Sequence, residues 1–426
     1  MRRVVARIVL GLYTWLAKRV IARHKPRVVA IAGCVGKTTT KDLIATVLSS
    51  QLNVRAAAGS YNSEWGVPLT ILGRKMSASP VGVVGTAIAA CKLLMPKARY
   101  PEILVVELGV DHPGDMQRLL GIVQPSVSVV TNTRNTHLQN FDSIEAIARE
   151  NRHVVEVLPE NGLAILNHDE DPTREMAHAT AACVITYGFS DGARLRITGH
   201  RFSRHGQTVQ LKDSSVPTSL TLKTRLLGEQ QLYGVAAAVA VGREFGVSDD
   251  AIAESVATFD GPPGRMRLFS AADEGVVIDD TYNASPQAVV DSLRVLDHLP
   301  HPRVAVLGTM GELGDDFAAG HDRVGTEAAQ HVDYLVVLGE GGERIATAAR
   351  SAGLSQQAIT QAHSIREAVE VVSKHLRAST LVKASQALYL ERVVVALIEP
   401  ENEPQTLQRL SRLEHQRNLL KAPPEG

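Results

Sequence analysis

Short apolar runs alternate along this chain with longer stretches whose apolar positions recur at helical spacing, the pattern of parallel sheets covered by helices. The first strands are expected at 28–32, 103–107, 127–131 and 164–167. The texture then changes: 195–197, 208–211 and 219–222 read as antiparallel strands separated by polar turns. An alanine-rich helix is expected over 227–245. Gly261-Pro262-Pro263-Gly264 interrupts the pattern. Beyond it a second alternating unit starts, with strands at 276–279, 304–307, 334–338 and 380–382. Residues 404–421 read as a charged helix that gives way to a Pro-containing tail. The expected class is α/β, a P-loop central domain with a parallel sheet followed by a Rossmann-like C-terminal α/β domain. Four segments follow: a basic amphipathic N-terminal helix (1–27), a central domain (28–262), a C-terminal domain (263–400), and a terminal helix and tail (401–426).

Chemistry enters where the first strand meets the first long helix, at Gly33-Cys34-Val35-Gly36-Lys37-Thr38-Thr39. A strand, a glycine loop and a helix N-terminus aim backbone N–H groups at a polyphosphate. The lysine adds a mobile cation, and the next hydroxyl is placed to hold Mg2+. The expected ligand is ATP. Only Cys34 and Val35 separate the glycines, so the loop is shorter than the commonest Walker form.

Lys plus Arg and Asp plus Glu both number 45, so nothing in the global charge calls for nucleic acid. Residues 1–27, however, carry eight Lys and Arg and no Asp or Glu, around an apolar stretch too short to span a bilayer. Two readings stay open for it. The helix lies on an anionic membrane surface, or it docks on the body of the protein. Three widely spaced cysteines give neither a disulfide framework nor a zinc site.

Further candidates sit at strand ends. Glu107 closes a strand and is placed to hold a cation beside phosphate. His137 follows the third strand and can reach the same region. Arg265 follows the Gly-Pro-Pro-Gly break and suits a phosphate or acyl phosphate. Asp279-Asp280-Thr281-Tyr282-Asn283-Ala284-Ser285-Pro286 follows a strand and is rich in groups that bind ribose hydroxyls or an amine.

Taken in order, these stretches resemble the Mur ligase family, the ATP-dependent amide ligases of peptidoglycan assembly. The resemblance runs through 33–41, 61–70, Glu107-Leu108-Gly109, 131–137, Phe141-Asp142-Ser143 and 164–169. It continues through Gly264-Arg265, 279–286, 307–314 with His321, and 382–385. The stretches Asp279-Asp280-Thr281-Tyr282-Asn283-Ala284 and Met310-Gly311-Glu312-Leu313-Gly314 favour the branch that adds a dipeptide. The resemblance implies that a substrate carboxylate attacks the γ-phosphate of ATP and that an amine displaces phosphate from the acyl phosphate. It assigns catalysis to Lys37, His137 and Arg265. ATP falls to Gly33, Cys34, Val35, Gly36, Lys37, Thr38, Thr39, Gln231, Arg265 and Asp280, Mg2+ to Thr38, Glu107 and His137, and substrate to Asn283, Ser285, Glu312 and Lys383. The implied partners are a small-molecule or lipid-linked cell-wall precursor and an amino acid or dipeptide, with the protein in the cytoplasm or on the inner face of the membrane.

The chain departs from the family at several points. Residues 1–27 stand where a UDP-binding domain is expected. Asn151 occupies the place of a carbamylated lysine, with Glu150 beside it as an alternative carboxylate. Gly234 stands where an asparagine meets adenine, and Lys383-Ala384-Ser385-Gln386 alters a Lys-Gly-Ser-Arg stretch. A second reading therefore stands beside the ligase, that of a catalytically impaired ATP-binding regulatory or scaffolding protein at the membrane.

Overall fold

The structure is a computed structural model that describes residues 2–398 except 58, 78, 134–139, 204, 217, 272–273 and 376. The expectations for His137 and for the helix at 404–421 lie outside the described residues. The chain divides into two compact units: the first holds residues up to 200 with 209–223 and 229–259, and the second holds 201–208, 224–228 and the chain from 260 onward.

In the first unit the order is α1 (Arg2–His24), β1 (Arg27–Ala32), α2 (Lys37–Ser49), β2 (Val54–Ala56), α3 (Gly66–Leu72), α4 (Pro80–Leu93), β3 (Ile103–Glu107), α5 (Asp115–Leu120), β4 (Val127–Val130), α6 (Ile144–Glu156), β5 (Leu163–Asn167), α7 (Asp171–Arg174) and β6 (Cys183–Gly188). Then come β7 (Leu195–Ser203), β8 (Gly206–Asp213) and β9 (Ser219–Thr224), of which residues 201–203, 206–208 and 224 are counted with the second unit, and α8 (Glu229–Glu244) and α9 (Asp249–Thr258). The strands form one sheet in the order β2-β3-β1-β4-β5-β6-β7-β8-β9, parallel from β2 through β7. All five residues of each of β3 and β5 are buried, which explains their apolar run up to the closing Glu107 and Asn167.

β1 lies between β3 and β4, with Ile31 level with both Glu107 and Val129. The chain leaves β1 toward β3 on one side and later returns to β4 on the other. This reversal opens a crevice at the carboxyl ends of the strands, where ligands bind in sheets of this kind. The loop after β1, Glu107 and residues 131–133 all end there.

Helix α1 docks one face on the first unit and leaves the other exposed. Tyr13, Leu16, Ala17 and Val20, at helical spacing, are buried against α3 and α4, while Val4, Val5, Ile8, Leu12 and Trp15 stay exposed. No described helix is long and apolar enough to cross a membrane.

The second unit contains β10 (Arg267–Ser270), β11 (Val276–Asp279), α10 (Pro286–Leu296), β12 (Arg303–Gly308), α11 (Phe317–His331), β13 (Tyr334–Leu338), α12 (Glu340–Ser351), β14 (Ile359–Ala362), α13 (Ile365–Val372), β15 (Ser379–Lys383) and α14 (Glu391–Leu397). Its sheet runs β10-β11-β15-β12-β13-β14, with β10 antiparallel and the rest parallel. Successive strand residues enter opposite cores: Ile278, Leu307 and Leu381 on one side, Val277, Val306 and Val382 on the other. Lys383 is level with Leu307, and Val382 with Asp279, so the loops after β11, β12 and β15 gather at one edge.

Candidate active site

The loop between β1 and α2 is built by backbone geometry first. Gly33 has φ +118°, and a Cβ there would lie 2.4 Å from Thr131 Oγ1 and 2.8 Å from the Asn132 carbonyl oxygen. Gly36 has φ +83° and caps α2, so Lys37 opens the helix. Both positions require glycine, one for its close approach and both for the left-handed turn. The first turn of α2 carries N–H groups without intrahelical acceptors and the positive end of the helix dipole, a setting that attracts phosphate.

Two asparagines from remote positions brace this loop. Asn132 Oδ1 accepts from Val35 N at 2.9 Å, its Nδ2 donates to Val35 O at 3.0 Å, and its own carbonyl accepts from Cys34 N at 3.0 Å. Asn151, fully buried on α6, accepts from Gly33 N at 3.1 Å and donates to Ile147 O at 3.1 Å. Lys37 Nζ folds onto the loop, donating to Gly33 O at 2.8 Å and Cys34 O at 3.0 Å.

Behind the loop Thr38 Oγ1 donates to Glu107 Oε2 at 2.9 Å. The other carboxylate oxygen of Glu107 accepts from Ser60 Oγ at 3.1 Å and Asn62 Nδ2 at 3.0 Å. Glu107 is only 2% exposed, so its charge is held by these donors. A hydroxyl and a carboxylate side by side are hard oxygen donors. They suit Mg2+, which keeps several waters and takes one or two protein ligands beside phosphate. Among the described residues no group of three or more His, Cys, Asp and Glu is arranged around one metal point.

Neither candidate for the carbamylated-lysine position offers a free carboxylate. Asn151 is committed to Gly33, and Glu150 accepts from Met116 N at 2.8 Å and Gly114 N at 3.1 Å, capping α5. Gln231 lies partly buried in the first turn of α8. Gly234 packs α8 onto α2, and a Cβ there would stand 3.0 Å from Thr40 Oγ1.

Past β5, Asp169 accepts from Phe189 N at 2.6 Å, Ser190 N at 3.0 Å and Tyr233 Oη at 2.9 Å. Burial pushes this carboxyl up, and the donors from Ser190, Phe189 and Tyr233 outweigh it, so its pKa lies below the usual carboxylate value. The ring of Tyr187 packs beside Tyr233, and burial raises its phenol.

In the second unit the Arg265 guanidinium stacks 4.1 Å from the Tyr282 ring centroid. Asp279 accepts from Gly264 N at 2.9 Å and from Thr281 Oγ1 at 2.5 Å, shaping the turn that carries Arg265. Asp280 Oδ1 accepts from Met266 N at 3.1 Å; its Oδ2 accepts from Ser292 Oγ at 2.8 Å and Lys383 Nζ at 2.5 Å. Lys383 also donates to Asn283 O at 3.0 Å. Asp280, Asn283 and Lys383 thus meet, with the Asp280 and Lys383 head groups occupied by one another. Asn283, Ser285 and Glu312 present exposed side chains, and Glu312 has φ +61°. His321 is buried; its Nδ1–H donates to Phe317 O at 2.6 Å and its Nε2 accepts from Met310 N at 2.9 Å, fixing the loop after β12 to α11.

Ser60, Asn132, Asp169 and Tyr233 were not singled out as functional by sequence reasoning. For Asn132 the signal was its place inside the strand-end stretch of the resemblance, one residue beyond the strand expected at 127–131.

Comparison with known proteins gives a consistent result. Residues 31–242 match the family model described as the Mur ligase middle domain, and 264–385 the one described as the Mur ligase glutamate ligase domain. UDP-N-acetylmuramoyl-tripeptide–D-alanyl-D-alanine ligase of Escherichia coli is 29% identical over 394 residues, 91% of this chain and 79% of that protein. The enzyme of the same name from Mycobacterium leprae is 32% identical over 351 residues, 74% of this chain; the chain spans 61% of its length. The crystal structure of MurF from Acinetobacter baumannii superposes with a TM-score of 0.76 at 25% identity, covering 91% of this chain and 79% of that one.

Proposed function

Because this chain belongs to the Mur ligase family, we propose that it is an ATP-dependent, ADP-forming ligase of peptidoglycan precursor synthesis. It joins a UDP-N-acetylmuramoyl tripeptide to D-alanyl-D-alanine, the two substrates that the names of the relatives give for them, and the carboxylate of the first is activated as an acyl phosphate. The observation that carries this reading is the buried contact of Thr38 with Glu107 beside a glycine loop braced by Asn132 and Asn151.

Mg2+, held by Thr38 and Glu107, would neutralise phosphate charge as the γ-phosphoryl group transfers. This chain's own residues do the rest. The loop amides and the α2 N-terminus bind phosphate. Lys37 exchanges the Gly33 and Cys34 carbonyls for phosphate oxygens, adding a positive charge where negative charge develops. Asn132 and Asn151 keep the loop from reorganising at that moment. The exposed Asn283, Ser285 and Glu312 serve the peptide substrates, and Lys383 acts through its hold on Asp280 and Asn283. A lipid-linked acceptor and a place on the inner face of the membrane form the finer part of this reading, supported by the eight Lys and Arg of residues 1–27, a segment with no Asp or Glu of its own.

The test is phosphate release with Mg-ATP, UDP-N-acetylmuramoyl tripeptide and D-alanyl-D-alanine, omitting each in turn, with product mass determined. Release that needs all three and yields the ligated peptide is expected. Nucleotide binding without any amine-dependent release would overturn the ligase and leave the scaffolding role.

A further inference from the structure

Helix α4 is hard to explain as a water-facing helix. Its sequence, Pro-Val-Gly-Val-Val-Gly-Thr-Ala-Ile-Ala-Ala-Cys-Lys-Leu, has one charged residue and is apolar all round, a composition that belongs in a core or in contact with lipid. Yet only Thr86 and Ala90 are buried. Val81, Val84 and Ile88, spaced along one stripe, are 82%, 58% and 52% exposed.

Helix α1 lies against α4. The two helices pack together, and their C-terminal ends are tied by Arg23 Nη2 donating to Met95 O at 3.1 Å and by His24 Nε2 lying 2.8 Å from Leu93 O. Of the thirteen large hydrophobic side chains exposed among the described residues, ten lie on α1, on α4 or in the loops bracketing α4. Exposed large apolar side chains concentrated in two packed helices mark an interaction surface.

Charge identifies the partner. Residues 1–27 and 65–101 together contain thirteen Lys and Arg and no Asp or Glu, in a chain whose overall totals balance. Exposed apolar side chains on segments rich in cations and free of Asp and Glu, with Trp15 exposed beside Arg19, are the features of a helix lying in the headgroup layer of an anionic bilayer. A second protein would need an acidic and apolar face of matching shape, whereas an anionic lipid surface satisfies both features without one.

We infer that α1 and α4 together form a membrane-docking face for anionic lipid, with α4 supplying a second apolar stripe that the N-terminal helix alone does not provide. The inference deepens the peripheral-membrane part of the proposed function. It is independent of turnover, so a failed ligase assay leaves it standing. Long cationic side chains lay their stems along the apolar surface and place their charges among the headgroups.

The experiment is flotation of the full chain with phosphatidylcholine vesicles, with and without phosphatidylglycerol, at low and high salt. The wild type is expected to float with anionic vesicles and to be released by salt, with recovery on neutral vesicles lower by about tenfold or more. Val84→Glu/Ile88→Glu and Val5→Glu/Ile8→Glu, made at exposed positions, should each lower anionic flotation by about tenfold while Mg-ATP binding is kept. Val157→Glu, an exposed apolar position elsewhere, should float as the wild type does. The proposal falls if the wild type ignores anionic lipid or if the α4 double variant floats unchanged. It also falls if the wild type self-associates without lipid in a way the α4 variant abolishes, which would make the face a protein interface.

Discussion

Replacing Asn151 by leucine tests whether this residue braces the phosphate loop or belongs to a metal site. The side chain is fully buried, and its oxygen is the acceptor for Gly33 N at 3.1 Å. Leucine keeps the same branched arrangement of side-chain heavy atoms but offers no acceptor, which leaves a buried N–H unsatisfied at a cost of about 1–3 kcal/mol. The loop has two ways to respond. If it holds its shape, the cost appears as lost stability, seen as a lower unfolding midpoint. If it relaxes to find another partner, ligand binding must restore the shape, and ATP affinity falls by about 5- to 150-fold. Calorimetric titration of Mg-ATP and Mg-ADP, with thermal unfolding of the same samples, reads both. A brace weakens ATP and ADP alike and leaves the Mg2+ concentration dependence unchanged; a metal ligand shifts the Mg2+ midpoint. Affinity within about twofold of wild type together with an unchanged unfolding midpoint would refute the reasoning, because the N–H penalty would then appear nowhere.

Two further outcomes follow from buried charge. Lys383→Met leaves Asp280 without its cation in a site where both side chains are nearly buried, and should destabilise the protein by about 3–5 kcal/mol in denaturant titration; Lys383→Met with Asp280→Asn should recover a large part, and a single variant as stable as wild type would show that the pair holds nothing together. Asp169, whose folded pKa lies below its unfolded value, contributes stability that is present above the ordinary carboxylate pKa of about 3.9 and is lost as pH falls through the lower folded value. Asp169→Asn should therefore unfold at lower temperature than wild type at neutral pH, with the gap closing in acid, and a gap independent of pH would contradict it.

The expected strands at 103–107, 276–279 and 334–338 coincide with β3, β11 and β13, because an unbroken apolar run bounded by turn residues carries its own evidence for a doubly covered strand. Four strands escaped the reading. β2 is only Val54–Ala56 and none of it is buried, while β6 has four of its six residues outside the buried class, so neither carries a full apolar run. β10 opens on Arg267, and β14 keeps Thr360 and Gln361 in its middle. In these strands the neighbours in the sheet, more than the composition, set the conformation.

The sequence by itself determined the phosphate loop, since Gly33, Gly36, Lys37 and Thr38 all lie within residues 33–38 and their backbone requirements are local. It likewise determined the α/β class and the strand-end position of Glu107. Only the tertiary structure decided which groups hold that loop, because Asn132 and Asn151 reach it across 97 and 118 residues and a hydrogen bond to a distant backbone group leaves no periodic trace. The same holds for Glu150 turned onto α5, for the mutual pairing of Asp280 and Lys383, and for α1. The apolar positions of α1 look alike along the sequence. Packing against α3 and α4 buries one set and leaves the other facing outward, since burial depends on what the fold brings alongside.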